Sequence, residues 1–182
     1  MKRIAVFLDG ANTYYTQRDM GWYIDAEKLL NYCKEYGEIV EAVYYTGENN
    51  DPKQKGFLNK LAYIGYSLET KPVKTIRDFE TGASIQKANL DIEIVLDMFN
   101  MIDRYDMAIL VSGDGDFERA VRQLKSRGKE VQVISTRGKV ATELVHAMGI
   151  NYIDLLAIRE LVERKVQACS IQDEATEQPK AS

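Results

Sequence analysis

Two aspartates spaced two apart, Asp114 and Asp116, follow an apolar run, Ile109-Leu110-Val111, that breaks at Ser112-Gly113. Such a run reads as a strand buried on both faces. Beyond it, Phe117, Ala120, Val121 and Leu124 recur as one side of an amphipathic helix. The two acids therefore stand where the carboxyl end of a strand hands over to a helix, the rim at which open α/β sheets bind ligands. One acid is accounted for by helix N-capping; two flanking Gly115 are more than a cap requires. Asp9 ends the apolar strand 3–8 in the same way, just before Gly10, and the structural alternative there is an Asx-turn. A further acid, Asp91, falls in the first turn of a helix over 89–102, among residues that read as core. At roughly 100° per residue, Glu93, Asp97 and Asn100 share one stripe, readable as the solvated side, and Asp91 lies off it. The helix dipole favours a first-turn aspartate. A carboxylate on an apolar face nevertheless costs several kcal/mol unless it is paired or metal-bound, which favours a site role for Asp91. Asp97 ranks as a secondary acid.

Carboxylates converging at one rim repel each other unless something positive sits among them. Hard divalent ions such as Mg²⁺ take oxygen ligands of this kind and stabilise the charge that develops when a phosphodiester is attacked. Other chemistries fit less well. His146 stands alone beside Leu144, Val145 and Met148; it reads as structural, and a single histidine excludes a histidine-rich zinc site. There is no Walker A sequence, and Gly113-Asp114-Gly115 lacks the third glycine of a dinucleotide fingerprint. A haloacid-dehalogenase-type phosphatase would need an acid where Ala11 stands, and Arg119 occupies the glycine position of an EF-hand loop. Cys33 and Cys169 make no disulfide or metal framework, in keeping with a reducing cytoplasm.

The elements that must position these acids alternate along the chain. Strands are expected over 3–8, 39–46, 67–73 (at a sheet edge because of Pro72), 106–111, 130–135 and, briefly, 150–153. Helices are expected over 25–36, 52–64, 89–102, from Phe117 to 127, 140–148 and 154–166. Residues 13–24 read as a loop or short helix and 74–88 as the longest irregular stretch. Alternation of this kind means a central parallel sheet with right-handed crossovers and helices on both faces. The strand order 3-2-1-4-5 would set strand one beside 106–111 and bring Asp9, Asp114 and Asp116 to one rim. The 182 residues suit one domain over 1–166, with a disordered tail over 167–182. Hydrophobic content of 45% and charged content of 29% are those of a soluble globular chain. No apolar run approaches the roughly 20 residues of a membrane span, and the start turns acidic too soon for a signal peptide. The net charge of −4 argues mildly against a nucleic-acid binder. With the tail and the candidate site acids set aside the remaining body is positive, which permits a polyanionic ligand.

Three blocks then carry a resemblance: Phe7-Leu8-Asp9-Gly10-Ala11-Asn12, the stretch from Lys87 to Met98 that holds Asn89, Asp91 and Asp97, and Ser112-Gly113-Asp114-Gly115-Asp116-Phe117. In this order they resemble the signature of the NYN domain, a PIN-like nuclease family, and its bacterial LabA-like branch in particular. The resemblance covers about residues 1–160. It implies a three-layer PIN-like fold and metal-dependent cleavage of RNA. It further implies that Asp9, Asp91, Asp114 and Asp116 hold Mg²⁺ or Mn²⁺, with Asn12 hydrogen-bonding near the metal or the scissile phosphate. Many relatives carry an extra RNA-binding module, and none is expected within these 182 residues. RNA contacts are expected from Lys53, Lys55, Arg77, Lys87, Arg137 and Lys139, with Ser135-Thr136-Arg137-Gly138 the leading candidate for holding a phosphate. Tyr14, Tyr15, Trp22 and Tyr23 are candidates for stacking on unpaired bases, with packing the expectation for at least two. The reading is an endoribonuclease acting on single-stranded RNA. The alternative is a non-catalytic RNA-binding or regulatory protein that keeps the fold, and a homodimer is left open. A small-molecule phosphatase is weaker, because no lid motif is recognisable.

Overall fold

Strand β1 (Arg3–Asp9) sends Ile4, Val6 and Leu8 to one face and Ala5 and Phe7 to the other, and all five are buried. A strand apolar on both faces needs cover on both, and that requirement organises the molecule. The structure, a computed structural model, describes residues 1–49, 51–77 and 84–165. β1 is flanked by β2 (Glu38–Glu48) and then β3 (Ser67–Pro72) on one side. Two short strands, β4 (Lys74–Arg77) and β5 (Ser84–Lys87), form a separate antiparallel ladder. On the other side of β1 lie β6 (Met107–Val111), β7 (Glu130–Ser135) and β8 (Tyr152–Asp154). The main sheet is parallel throughout, in the order β3-β2-β1-β6-β7-β8. This is the expected 3-2-1-4-5 order with the short sixth strand added at its edge.

Helices cover both faces. One layer holds α2 (Ala26–Cys33), α3 (Pro52–Ile64) and α7 (Arg159–Val162), which pack Leu29, Leu61 and Val162 against Ile4, Val6 and Ile109. The other holds α4 (Asp91–Asn100), α5 (Glu118–Ser126) and α6 (Thr142–Met148), with Ile94, Leu124 and Leu144 against Phe7, Leu110 and Val133. Adjacent β1 and β6 thus send their following helices to opposite faces, and the crevice between those helices opens at the carboxyl ends of the two strands.

Several local expectations are settled or changed. Residues 10–20 form a helix, α1 (Gly10–Met20), which begins at once on β1 and ends at Gly21 with φ 72°. It shows little apolar periodicity because its inward residues are Thr13 and Thr16, buried as hydroxyls rather than hydrocarbon. The irregular stretch over 74–88 is in part the β4–β5 ladder, with Arg77 opposite Ser84; residues 78–83 lie outside the described residues. The apolar residues of the 89–102 helix run nearly all the way round and read as mostly buried, but in α4 Ile92 and Leu96 are 70% and 55% exposed. The last helix is one turn, Arg159–Val162, preceded by turns. His146 lies exposed on α6 rather than in an apolar face. The tail expectation over 167–182 lies outside the described residues. Among the described residues no helix is long and apolar enough to cross a membrane.

Candidate functional site

The site is assembled where β1 and β6 end side by side, with Leu8 paired to Val111. Asp9 is the N-cap of α1: its Oδ1 accepts the backbone N–H of Asn12 at 3.0 Å. Its Oδ2 accepts the hydroxyl of Ser112, one residue past β6, also at 3.0 Å. The Ser112 oxygen in turn accepts the Asp114 N–H at 3.2 Å, and the Gly113 N–H donates to Asn12 Oδ1 at 3.0 Å. The two strand ends are thereby laced together by side chains from both. Sequence reasoning gave Ser112 no separate role, although a hydroxyl directly after a fully buried strand was the available signal. Asp114 caps the 3₁₀ turn Gly115–Phe117 by accepting the Asp116 N–H at 3.0 Å.

Both glycines at these turns are there for close approach. A Cβ on Gly10 would lie 2.5 Å from the Tyr45 carbonyl oxygen, and one on Gly113 would lie 2.6 Å from Ser135 Oγ and 2.7 Å from the Lys139 carbonyl. The loop carrying Ser135 to Val140 therefore lies directly on Gly113, and the Ala141 N–H donates to its carbonyl at 2.9 Å.

Asp91 reaches the same rim from the first turn of α4. Asp91, Asp114 and Asp116 each bring a carboxylate oxygen to within 4.8 Å of the others, two of them half-buried and Asp116 exposed. Asp9 lines the same cleft of about 200 Å³ with Asn12, Tyr15, Asn89, Asp91 and Asp114. It is more deeply placed, 6% exposed, with both oxygens engaged as described. Burial pushes its pKa up, and the neighbouring charges of Asp91 and Asp114 push the same way, against the hydrogen bonds from Asn12 and Ser112. Asp91, Asp114 and Asp116 thus form a cluster, and Asp9, Asp91 and Asp114 line the cleft. The donor set is all hard oxygen, without histidine or thiolate, which fits a hard divalent cation.

The other expected site residues are placed differently. Asp97 accepts a hydrogen bond from the buried Tyr45 hydroxyl at 3.0 Å and does not line the cleft. Ser135 and Thr136 are 2% and 4% exposed, and the Thr136 hydroxyl faces Met20 Sδ at 3.0 Å. Arg137 is exposed, with its Nε 3.5 Å from Asp154. Lys139 is paired with Asp19. Lys87 is in β5, and its side chain lies outside what the structure describes. Of the four aromatic residues considered for stacking, Trp22 is buried, whereas Tyr14, Tyr15 and Tyr23 are exposed.

Comparison with known proteins agrees with this construction. The NYN domain family matches residues 3–156. The chain is 44% identical over 165 residues to the low amplitude and bright protein LabA of Synechococcus elongatus, covering 89% of this chain and 88% of that one. It is 27% identical over 144 residues to an uncharacterized protein of Methanocaldococcus jannaschii, covering 78% of this chain and 51% of that protein's length. A crystal structure of a protein of unknown function from Vibrio parahaemolyticus superposes with a TM-score of 0.76 at 29% identity, over 90% of this chain and 96% of that one. A family match over most of the chain, together with a LabA relative that runs nearly its full length, makes this protein a member of the NYN domain family, within the PIN-like nuclease superfamily and LabA-like.

Proposed function

We propose that residues 1–166 form a divalent-metal-dependent endoribonuclease that hydrolyses phosphodiester bonds in single-stranded RNA. The observation that carries this reading is the convergence of Asp91, Asp114 and Asp116 within 4.8 Å, above a buried Asp9. Asp91, Asp114 and Asp116 would hold Mg²⁺ or Mn²⁺, with Asp9 positioned to complete or support the set. Bound there, the ion would neutralise the carboxylates and supply Lewis acidity to a phosphodiester.

The remaining work falls to the chain's own residues. Asp9, fixed by Ser112 and Asn12, holds the ends of β1 and β6 in register so that Asp114 keeps its place. Asn12 reaches the cleft from the first turn of α1, where it is placed to orient a phosphate beside the acids. Arg137, exposed on the loop that lies over Gly113, is available to the RNA backbone, with Ser135 and Thr136 supporting that loop from within. Membership of a nuclease superfamily supports the reaction class, and a fold alone does not fix activity.

The test is incubation of purified protein with end-labelled single-stranded RNA in Mn²⁺ and in EDTA, beside Asp114→Asn. Cleavage in Mn²⁺ that is lost in EDTA and in the variant is expected. RNA bound but intact under every condition would leave the non-catalytic reading in its place.

A further inference from the structure

The acidic cleft does not end at the acids. Tyr15, Ala11 and Ala88 are shared between it and a larger groove of about 710 Å³, whose opposite wall is the start of α3 with Lys53 and Phe57. Tyr14, Tyr44 and Phe57 are shared in turn between that groove and a third, mostly apolar recess of about 260 Å³. Leu8, Ile24 and Ala26 also line the recess, together with Tyr23 and Arg164. The three spaces therefore form one path that leaves the acids on the α1 side.

Its rim is aromatic. Tyr14, Tyr15, Tyr23 and Phe57 are 54%, 52%, 51% and 44% exposed. Contiguous exposed apolar surface of this kind marks a binding face. Tyr14 and Tyr15 are consecutive on a helix, so their rings point about 100° apart; one ring serves the acidic end and the other the recess. The rings are already held edge to face, Tyr14 to Tyr15 at 5.6 Å and Tyr44 to Phe57 at 5.7 Å between centroids. The side chains of Lys53 and Arg164, the cations along the path, form no ion pair among the described residues, while Asp51, which also lines the groove, caps α3 by accepting the Lys53 backbone N–H at 2.9 Å. Flat rings set between unengaged cations, continuous with an acidic cleft, are what a single strand of nucleic acid binds: bases stack and phosphates follow the cations. A peptide could use the rings, but it would give the continuity with the acids no purpose.

We propose that this path is a stacking track for unpaired bases of single-stranded RNA lying to one side of the scissile phosphate, with the recess between Tyr14, Tyr23 and Phe57 taking one base. The proposal rests on the ribonuclease reading for the identity of the polymer. It excludes duplex substrates, whose bases are already stacked on each other.

The test is fluorescence anisotropy with a labelled RNA of about 12 nucleotides, in Ca²⁺ and in EDTA, with a gel to verify that the RNA stays intact. Wild type should bind the single strand more tightly than the same sequence annealed to its complement. Tyr14→Ala, Tyr23→Ala and Phe57→Ala should each weaken single-strand binding by roughly fivefold or more. Tyr14→Phe, which keeps the ring, should bind as wild type. Tyr63→Ala, at a 93% exposed tyrosine that lines none of these spaces, serves as the control and should have no effect. An RNA with a single abasic nucleotide moved along the strand should bind weakly only with the gap on one side of the cleavage position. Equal binding of duplex and single strand overturns the track, as do alanine variants that bind like wild type while cleavage in Mn²⁺ persists; in the second case the ribonuclease reading stands alone. Weakened binding in the variants with no cleavage by wild type supports the track and sinks the ribonuclease. Wild type that binds no single-stranded RNA overturns both and leaves the groove to an apolar peptide.

Discussion

The two ends of the β1–β6 strand pair hold aspartates in opposite circumstances. At the amino end, Asp106 receives Arg3 Nη2 at 2.7 Å and Nε at 3.2 Å, as well as the Arg3 backbone N–H at 2.9 Å. That side-chain hydrogen bond above all holds its carboxyl down at about 2. At the carboxyl end, Asp9 is buried, has two further acids facing it and has its pKa pushed up. One end is electrostatically complete within the chain. The other gathers acids around a carboxylate whose charged form burial disfavours. Violations of local rules concentrate at functional sites, and the difference between two ends of the same strands supports the carboxyl end as the place of the proposed site.

The comparison breaks most visibly in activity. Asp91→Asn or Asp114→Asn should lower the rate of single-stranded RNA cleavage in Mn²⁺ by about 10²-fold or more, because a misplaced centre costs at least that much. Asp106→Asn should leave the rate within about twofold. Single-turnover cleavage of a labelled RNA measures both, and equal losses would dissolve the distinction between the two ends.

Next is the response to metal alone. Mn²⁺ at about a hundred times its dissociation constant should stabilise wild type by about 2.7 kcal/mol, and Asp114→Asn far less. In EDTA the variant should melt at or above wild type. Asparagine keeps the oxygen that caps the 3₁₀ turn at Asp116 N–H and removes one of the charges facing Asp9. A variant that melts lower in EDTA, with no metal shift in wild type, would make Asp114 a structural acid.

How much of this was legible in the sequence follows the same division. The parallel sheet and its order could be read because β1 and β6 are uninterrupted apolar runs, and the acids could be read because each stands directly after such a run or on an apolar helix. α1 was legible only as one of two readings, loop or short helix, since its inward face is threonine and its start is set by an aspartate counted as a candidate ligand. Asp97 and the Ser135-Thr136 pair looked available because nothing local says that Tyr45, distant in sequence, takes the first, or that the loop over 135–140 folds down onto Gly113. Contacts made across the sheet leave no periodic trace.

Glycines sharpen the comparison at the level of packing. Gly10→Ala and Gly113→Ala place a methyl group against backbone carbonyls at 2.5 and 2.7 Å. Overpacking of this kind costs about 1–3 kcal/mol, so each melting temperature should fall by about 2–12 °C. Gly56, inside α3 with nothing within 4 Å of its would-be Cβ, should give the reverse. Gly56→Ala recovers helix propensity of about 1 kcal/mol, a rise of about 2–4 °C. Thermal melts of the three variants in one buffer decide it, and a site glycine that tolerated alanine would mean that the loop over Gly113 or the turn at Gly10 is looser than described.

The smallest effect is the pH dependence, and its sign differs at the two ends. The folded pKa of Asp106 is depressed to about 2 by Arg3. Its contribution to stability is therefore fully present above the unfolded value near 3.9 and is lost as pH falls toward 2. Asp9 runs the other way. Its folded pKa is raised, so its charge destabilises the metal-free protein at neutral pH. That cost is relieved as pH falls through the folded value toward the unfolded one. The Arg3–Asp106 pair is solvent-facing, with both side chains 43% exposed, and salt screens it. Asp106→Asn should thus melt below wild type at pH 7 and low salt in EDTA. The gap should narrow as the pH is lowered from 4 to 2.5, and narrow at pH 7 on adding salt. Melts at pH 7, 4 and 2.5 measure it. A gap constant across that window would mean that Arg3 holds residue 106 through neutral hydrogen bonds alone, and the contrast between the ends would then rest on Asp9.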